Sequence, residues 1–108
     1  MKRNSYRFDQ NLKDNIFGAV KAIKNYDYDL AVAYLKKASQ IDLENPIIFN
    51  LLGILYEKQG DYIKASKFYR VAYYMDQTFL APCDNLERVS TLLPYRSTKI
   101  NWGLERLI

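Results

Sequence analysis

An all-α fold, a stack of about three antiparallel helical hairpins, is what the 108-residue sequence predicts. Three observations lead there. The chain repeats itself at an offset of 34, apolar residues within each period recur at helical spacing, and helix-start and helix-stop residues fall between the apolar runs. Asp27-Tyr28 recurs as Asp61-Tyr62, Ala31 as Ala65, Ala38 as Ala72, Asp42 as Asp76 and Lys24 as Lys58, while small Ala19 returns as small Gly53. Leu35 pairs with Tyr69, and Ile41 with Met75.

Helices over about 12–25 and 28–41 form the first hairpin, the earlier copy of the period. Asn45 before Pro46 caps a third helix, 46–59, with proline in its first turn. Leu51, Leu52, Leu55 and Tyr56 give that helix its apolar spacing. Gln59-Gly60-Asp61 stops it at glycine and caps the fourth helix, 62–75, where Tyr62, Ala65, Phe68, Tyr69 and Ala72 recur. Pro82 opens a fifth helix, 80–93, and Pro94 ends it. A sixth helix, 98–107, is expected from Ile100, Gly103, Leu104, Leu107 and Ile108, and seals the end of the stack. The chain therefore reads as one domain, 1–108: an arm at 1–11, repeats at 12–45 and 46–79, and a degenerate capping unit at 80–108. Small residues at Ala19, Ala31, Gly53 and Ala65 let paired helices approach closely, and Tyr56, Phe68 and Tyr69 are expected to fill the wider gaps between hairpins.

The run Asn50-Leu51-Leu52-Gly53-Ile54-Leu55-Tyr56-Glu57-Lys58-Gln59-Gly60-Asp61-Tyr62, followed by Ala65, Tyr69 and Ala72, resembles the tetratricopeptide repeat. The match covers Pro46 to Phe79, with Gln77 where the family closes on proline. Leu12 to Asn45 is a weaker copy, with Ala22 in place of tyrosine and Tyr26 in place of the turn glycine. The resemblance implies a right-handed α-solenoid that binds a peptide or helix in a concave groove lined by the first helix of each hairpin. The groove positions would be Lys13, Ile16, Val20 and Lys24, then Ile47, Asn50, Ile54 and Glu57, then Ala81, Asp84, Asn85 and Arg88. Val20 and Ile54 are expected near its middle, at least partly exposed, with Asn50 and Arg88 donating hydrogen bonds at its edges. Family members that clamp a chaperone's C-terminal carboxylate use lysine, asparagine and arginine, where this sequence has Ile16, Val20, Leu51, Ala81 and Asn85, so no such clamp is implied.

Nothing in the sequence points to catalysis. There is no histidine for a triad, a zinc-protease motif or a neutral-pH proton shuttle. Gly18, Gly53, Gly60 and Gly103 lie too far apart to cradle a phosphate. The neighbouring carboxylates Asp27 and Asp29, and Asp42 and Glu44, read as capping residues, and Asp84 as an i,i+4 partner of Arg88. No catalytic, metal or cofactor residue is expected. The lone Cys83 reads as a partly buried thiol and, with no disulfide available, suits a reducing, cytoplasmic setting. No apolar run is long enough for a membrane span, and the charged N-terminus lacks a signal-peptide core.

Two further functions remain open from the residues. Tyr6, Phe8 and Trp102 lie outside the good repeats and either cap the stack or complete a homodimer. The net charge of +4 is spread along the chain, which does not favour nucleic-acid binding, and Tyr28, Tyr34, Tyr56, Tyr62, Tyr69 and Tyr73 fit core packing better than base stacking. The arm or the last helix covering the groove within the same chain is the alternative to an open binding surface.

Overall fold

Four side-chain caps set where the helices begin. Asp9 accepts from the Asn11 amide at 2.7 Å, Asp27 from Leu30 at 3.2 Å, Asn45 from Ile47 at 2.9 Å and Asp61 from Lys64 at 3.1 Å. Each satisfies a backbone donor that the first helical turn leaves without a partner, at about 1 kcal/mol per cap. The computed structural model describes residues 9–90 and 99–107, and among these are five α-helices, one 3-10 turn and no strand. The helices are α1 (Gln10–Lys24), α2 (Tyr28–Ile41), α3 (Pro46–Lys58), α4 (Tyr62–Met75) and α5 (Ala81–Ser90), and the 3-10 turn is Leu104–Leu107.

The turns within the two complete hairpins share one geometry. Gly60 ends α3 with φ 84°, and Tyr26, 34 residues earlier, ends α1 with φ 64°. The next amide then reaches back to the same relative carbonyl, Asp61 to Tyr56 at 2.9 Å and Asp27 to Ala22 at 2.8 Å. Left-handed backbone suits glycine, so Tyr26 holds its turn against a steric cost that Gly60 avoids.

Helices pack in sequence: α1 on α2, α3 on α4, and α4 on α5, while α1, α3 and α5 lie side by side in that order. Ala31, Ala38, Ala65 and Ala72 are fully buried at the close contacts. Glycines give the aromatic rings their seats. A Cβ on Gly18 would meet the Tyr34 ring at 2.6 Å, and one on Gly53 would run into the Tyr69 ring. These two pairs are 35 residues apart whereas the alanines are 34 apart, so the first hairpin moves both members of the contact by one position. Ala19 and Leu35, the 34-residue equivalents, are instead packed directly in the core.

Tyr56 stacks on Phe68 at 5.5 Å, with Phe49 at 6.4 Å from the same ring, inside the α3/α4 hairpin. These rings therefore fill the interior of one hairpin, correcting the expectation of a spacer between hairpins. Tyr62 is half exposed rather than core.

The main departure from expectation is at the C-terminus. Lys99 to Gly103 form no helix, and only the single turn Leu104–Leu107 follows. Gly103 has φ 72°, and a Cβ there would meet the Phe79 ring at 2.5 Å. The apolar spacing of Ile100, Leu104 and Leu107 suggested a helix, but main-chain bonding to other elements and the left-handed glycine hold the segment open. The α5 end expected at 91–93, Pro94, and the arm residues 1–8 with Tyr6 and Phe8 lie outside the described residues.

The turn equivalence gives a paired prediction. Tyr26→Gly relieves left-handed strain and is expected to stabilise by on the order of 1 kcal/mol, whereas Gly60→Ala is expected to cost a similar amount. Opposite shifts in melting temperature are the expected result; a fall with both would mean that the exposed Tyr26 ring contributes more than its backbone costs.

Candidate functional site

The side formed by α1, α3 and α5 carries the residues named for a groove, and the chain's own C-terminal segment occupies it. Asn50 on α3 and Asn85 on α5 are fully buried, and Arg88 is 6% exposed. Buried amides and guanidinium groups must find partners, and here many of the partners are main-chain atoms of the tail. Asn50 Nδ2 donates to the Asn101 carbonyl at 3.1 Å, and Asn85 Nδ2 donates to the same oxygen at 2.8 Å. Asn85 Oδ1 accepts from the Asn101 amide at 2.9 Å, and Arg88 Nη1 donates to the Lys99 carbonyl at 2.7 Å.

The same three side chains are tied to one another and to the second hairpin. Asn85 Nδ2 also donates to Asn50 Oδ1 at 3.0 Å, and Arg88 Nη1 donates to Asn85 Oδ1 at 2.9 Å. Arg88 grips Glu57 with both faces of its fork, Nε to Oε2 at 3.0 Å and Nη2 to Oε1 at 2.5 Å. The Tyr69 hydroxyl completes the cluster by donating to Glu57 Oε1 at 2.6 Å. Burial, and then the adjacent Glu57 carboxylate, push the Tyr69 phenol far above its ordinary range, so it stays a hydrogen-bond donor.

Apolar and charged contacts complete the tail's seat. The Lys24 ammonium lies 5.0 Å from the Trp102 ring centre, Leu107 is buried, and Ile100, Trp102 and Leu104 pack against the core. Asn101 Nδ2 donates to Asp84 at 3.0 Å. Arg106 bonds Asp76 at 2.8 Å and Thr78 at 3.0 Å while its guanidinium lies 4.8 Å from the Phe79 ring centre.

Several expectations change accordingly. Ile16, Val20, Ile47 and Ile54 are at most 5% exposed, so Val20 and Ile54 are core residues and not a free apolar surface. Replacing both with lysine would bury two charges and unfold the chain. Asn50 and Arg88 sit at the buried centre of the site and not at its edges. Lys24 and Asp84 are exposed, and Glu57 is half-buried. Arg88 pairs with Glu57 rather than with Asp84, because the α3 carboxylate meets it inside the protein while Asp84 faces Asn101. Trp102 is engaged within its own chain. Cys83 is exposed, not partly buried.

The residues that sequence reasoning missed are those of the tail, Lys99, Asn101, Gly103 and Arg106, together with Phe79. Asn50 and Asn85 were a usable signal: two amides 35 residues apart on the helices of one face, the same spacing that relates Gly18 to Gly53.

No group of three or more histidine, cysteine or carboxylate side chains is arranged for a metal among the described residues. A solvent-open depression of about 260 Å³ between α4 and α5, lined by Tyr62, Ile63, Ser66, Lys67, Arg70 and Val89, contains no acid–base pair. No helix among the described residues is long and apolar enough to cross a membrane. Comparison of the chain with family models, curated proteins and solved structures finds no match.

Two anchors of unequal burial give a graded prediction. Arg88→Met strands the Glu57 carboxylate and is expected to cost about 3–5 kcal/mol in chemical denaturation, whereas Arg106→Met, at a pair one-third exposed, should cost under about 1 kcal/mol. Equal costs would remove Arg88 from the centre of the assembly. The smaller effect has a pH signature. Hydrogen bonding from Thr78, and then from Arg106, holds the Asp76 carboxyl below its ordinary range. Its contribution is therefore present at neutral pH and lost as pH falls through that lowered value, so the Arg106→Met deficit should shrink in acid.

Proposed function

We infer that this chain is a non-enzymatic protein–protein interaction module of the tetratricopeptide kind, a short solenoid of helical hairpins whose α1/α3/α5 side receives a peptide in extended conformation. One observation supports the reading above all. The face expected to bind a peptide already holds one, its own residues 99–103, through side-chain bonds to main-chain carbonyl and amide groups. Recognition through main-chain atoms is what an extended peptide ligand offers, while pockets between the bonds select side chains. The exposed, unpaired Cys83 fits a cytoplasmic, reducing setting.

A peptide-display selection against the 108-residue chain tests the reading. Groove-binding peptides are expected to shift the emission of Trp102, the single tryptophan, as they displace the tail. They are also expected to bind Asn50→Ala at least about tenfold more weakly, since a lost partner at a buried polar site costs about 1–3 kcal/mol. Peptides that bind well but are indifferent to Asn50→Ala and leave Trp102 unchanged would place recognition on another surface.

A further inference from the structure

The outer face of α4 carries a stripe that the first hairpin lacks. Ile63, Lys67, Arg70 and Tyr74 follow at spacings of four, three and four, which puts them on one side of the helix, and all four are exposed, Ile63 to 76% and Tyr74 to 71%. The same positions of the first hairpin hold Asp29, Ala33, Lys36 and Gln40. Caps and core alanines repeat between the hairpins while this face does not, so packing does not account for it. Along the stripe, α4 and α5 enclose the depression of about 260 Å³, lined by Ile63 and Val89, by Tyr62 and by Lys67 and Arg70, with no carboxylate among its lining residues.

The charge here is uncompensated. α4 contains no acidic residue, and among the described residues neither Lys67 nor Arg70 has an ion pair or hydrogen bond. Lys64, the third cation of the helix, is turned onto the Tyr56 ring, 4.9 Å from its centre. Like charges one turn apart repel, and an anion laid against both would relieve that repulsion. The chain's remaining segments are of the wrong sign to supply it, since residues 1–8 and 91–98 carry Lys2, Arg3, Arg7 and Arg96 and no acid. A second copy is poorly supplied as well. Asp9, Asp27 and Asp61 cap helices, Glu57 and Asp76 are paired with arginine, and Asp84 accepts from Asn101.

We propose that this depression is a second interaction surface, separate from the α1/α3/α5 side, and that it takes an acidic segment of another protein, with an aliphatic side chain seated between Ile63 and Val89 and carboxylates against Lys67 and Arg70. The apolar contact holds the segment, while the charges set its sign and turn basic segments away. A concave seat fits a protruding side chain better than the flat surface of a bilayer.

The test pans a random-peptide display library on the 108-residue chain and measures the selected peptides, fluorescein-labelled, by anisotropy. Acidic peptides carrying an aliphatic residue are expected to be enriched and to lose affinity as salt is raised. They should bind Lys67→Gln/Arg70→Gln at least about tenfold more weakly, and Ile63→Ser at least about threefold more weakly. All three positions are exposed, so circular dichroism melts should stay close to wild type. The same peptides should bind Asn50→Ala as they bind wild type and leave Trp102 emission unchanged, which separates this surface from the α1/α3/α5 side. Lys67→Glu/Arg70→Glu should in turn bind versions of the peptides with lysine in place of each acid. A selection without acidic peptides overturns the proposal, as do acidic peptides that bind Lys67→Gln/Arg70→Gln as tightly as wild type. A wild-type dimer, seen by light scattering and lost in that variant, overturns it in favour of a second copy. Co-sedimentation with phosphatidylserine vesicles that needs Lys67 and Arg70, with no acidic peptide selected, overturns it in favour of a lipid surface.

Discussion

A guanidinium group taken out of water holds the C-terminal half of this molecule together. Arg88 reaches Glu57 on α3, Asn85 on its own helix and the Lys99 carbonyl of the tail. A buried charge of this kind is a constraint more than a source of stability, because its desolvation cancels much of what its bonds return. What it supplies is uniqueness. Glu57 must lie opposite it, Tyr69 must turn its hydroxyl to the Glu57 Oε1 that also accepts from Arg88 Nη2, and the Lys99 carbonyl must come within reach, or a charge is left without a partner. Four segments distant in sequence are thereby fixed in register by one side chain.

The hairpins obey a different constraint, close approach. At Tyr34 and again at Tyr69 the facing helix supplies a glycine, and moving one member by a residue forces the other to move with it. That is why the Gly18–Tyr34 contact and the Gly53–Tyr69 contact share a 35-residue spacing inside a 34-residue repeat. The backbone caps and turns keep strict time, set by Asp27 and Asp61, while the packing pairs slide by one on the helix surface. Tyr26 in a left-handed turn belongs to the first kind: the turn geometry is kept even where the residue best suited to it is absent.

Local signals made the helices legible in the sequence. Caps, stops and periodic apolar positions act within a few residues, and the limits of α2 and α4 follow from them directly. Helical spacing also put Asn50, Glu57, Asn85 and Arg88 on one side, and hydrogen bonds join these four in the structure, whereas Ile16, Ile47 and Ile54 turn into the core. What covers that side was not legible. Ile100, Leu104 and Leu107 have helical spacing, and their chain direction depends on bonds to Asn50 and Asn85, which lie 51 and 16 residues from Asn101. Apolar periodicity carries no information about such bonds. Gly103 was the one local warning, a residue weak in helix interiors and free to take positive φ.

The side covered by residues 99–101 divides its work between aliphatic and polar side chains. Ile16, Val20, Ile47 and Ile54 are buried in the core, each gaining about 1.5–3 kcal/mol from that burial, so they hold the stack together and do not choose what lies across it. Asn50, Asn85 and Arg88 behave in the opposite way. Covered by a segment that lacks a carbonyl or amide at the right places, they would be buried without partners, at about 1–3 kcal/mol for each neutral group and more for the charged one. A segment that leaves these polar groups unsatisfied would thus be disfavoured chiefly by them rather than by the contacts it fails to make. The aliphatic side chains hold the helices together, and the three polar ones set what can lie across them, a requirement that the main chain of residues 99–101 meets.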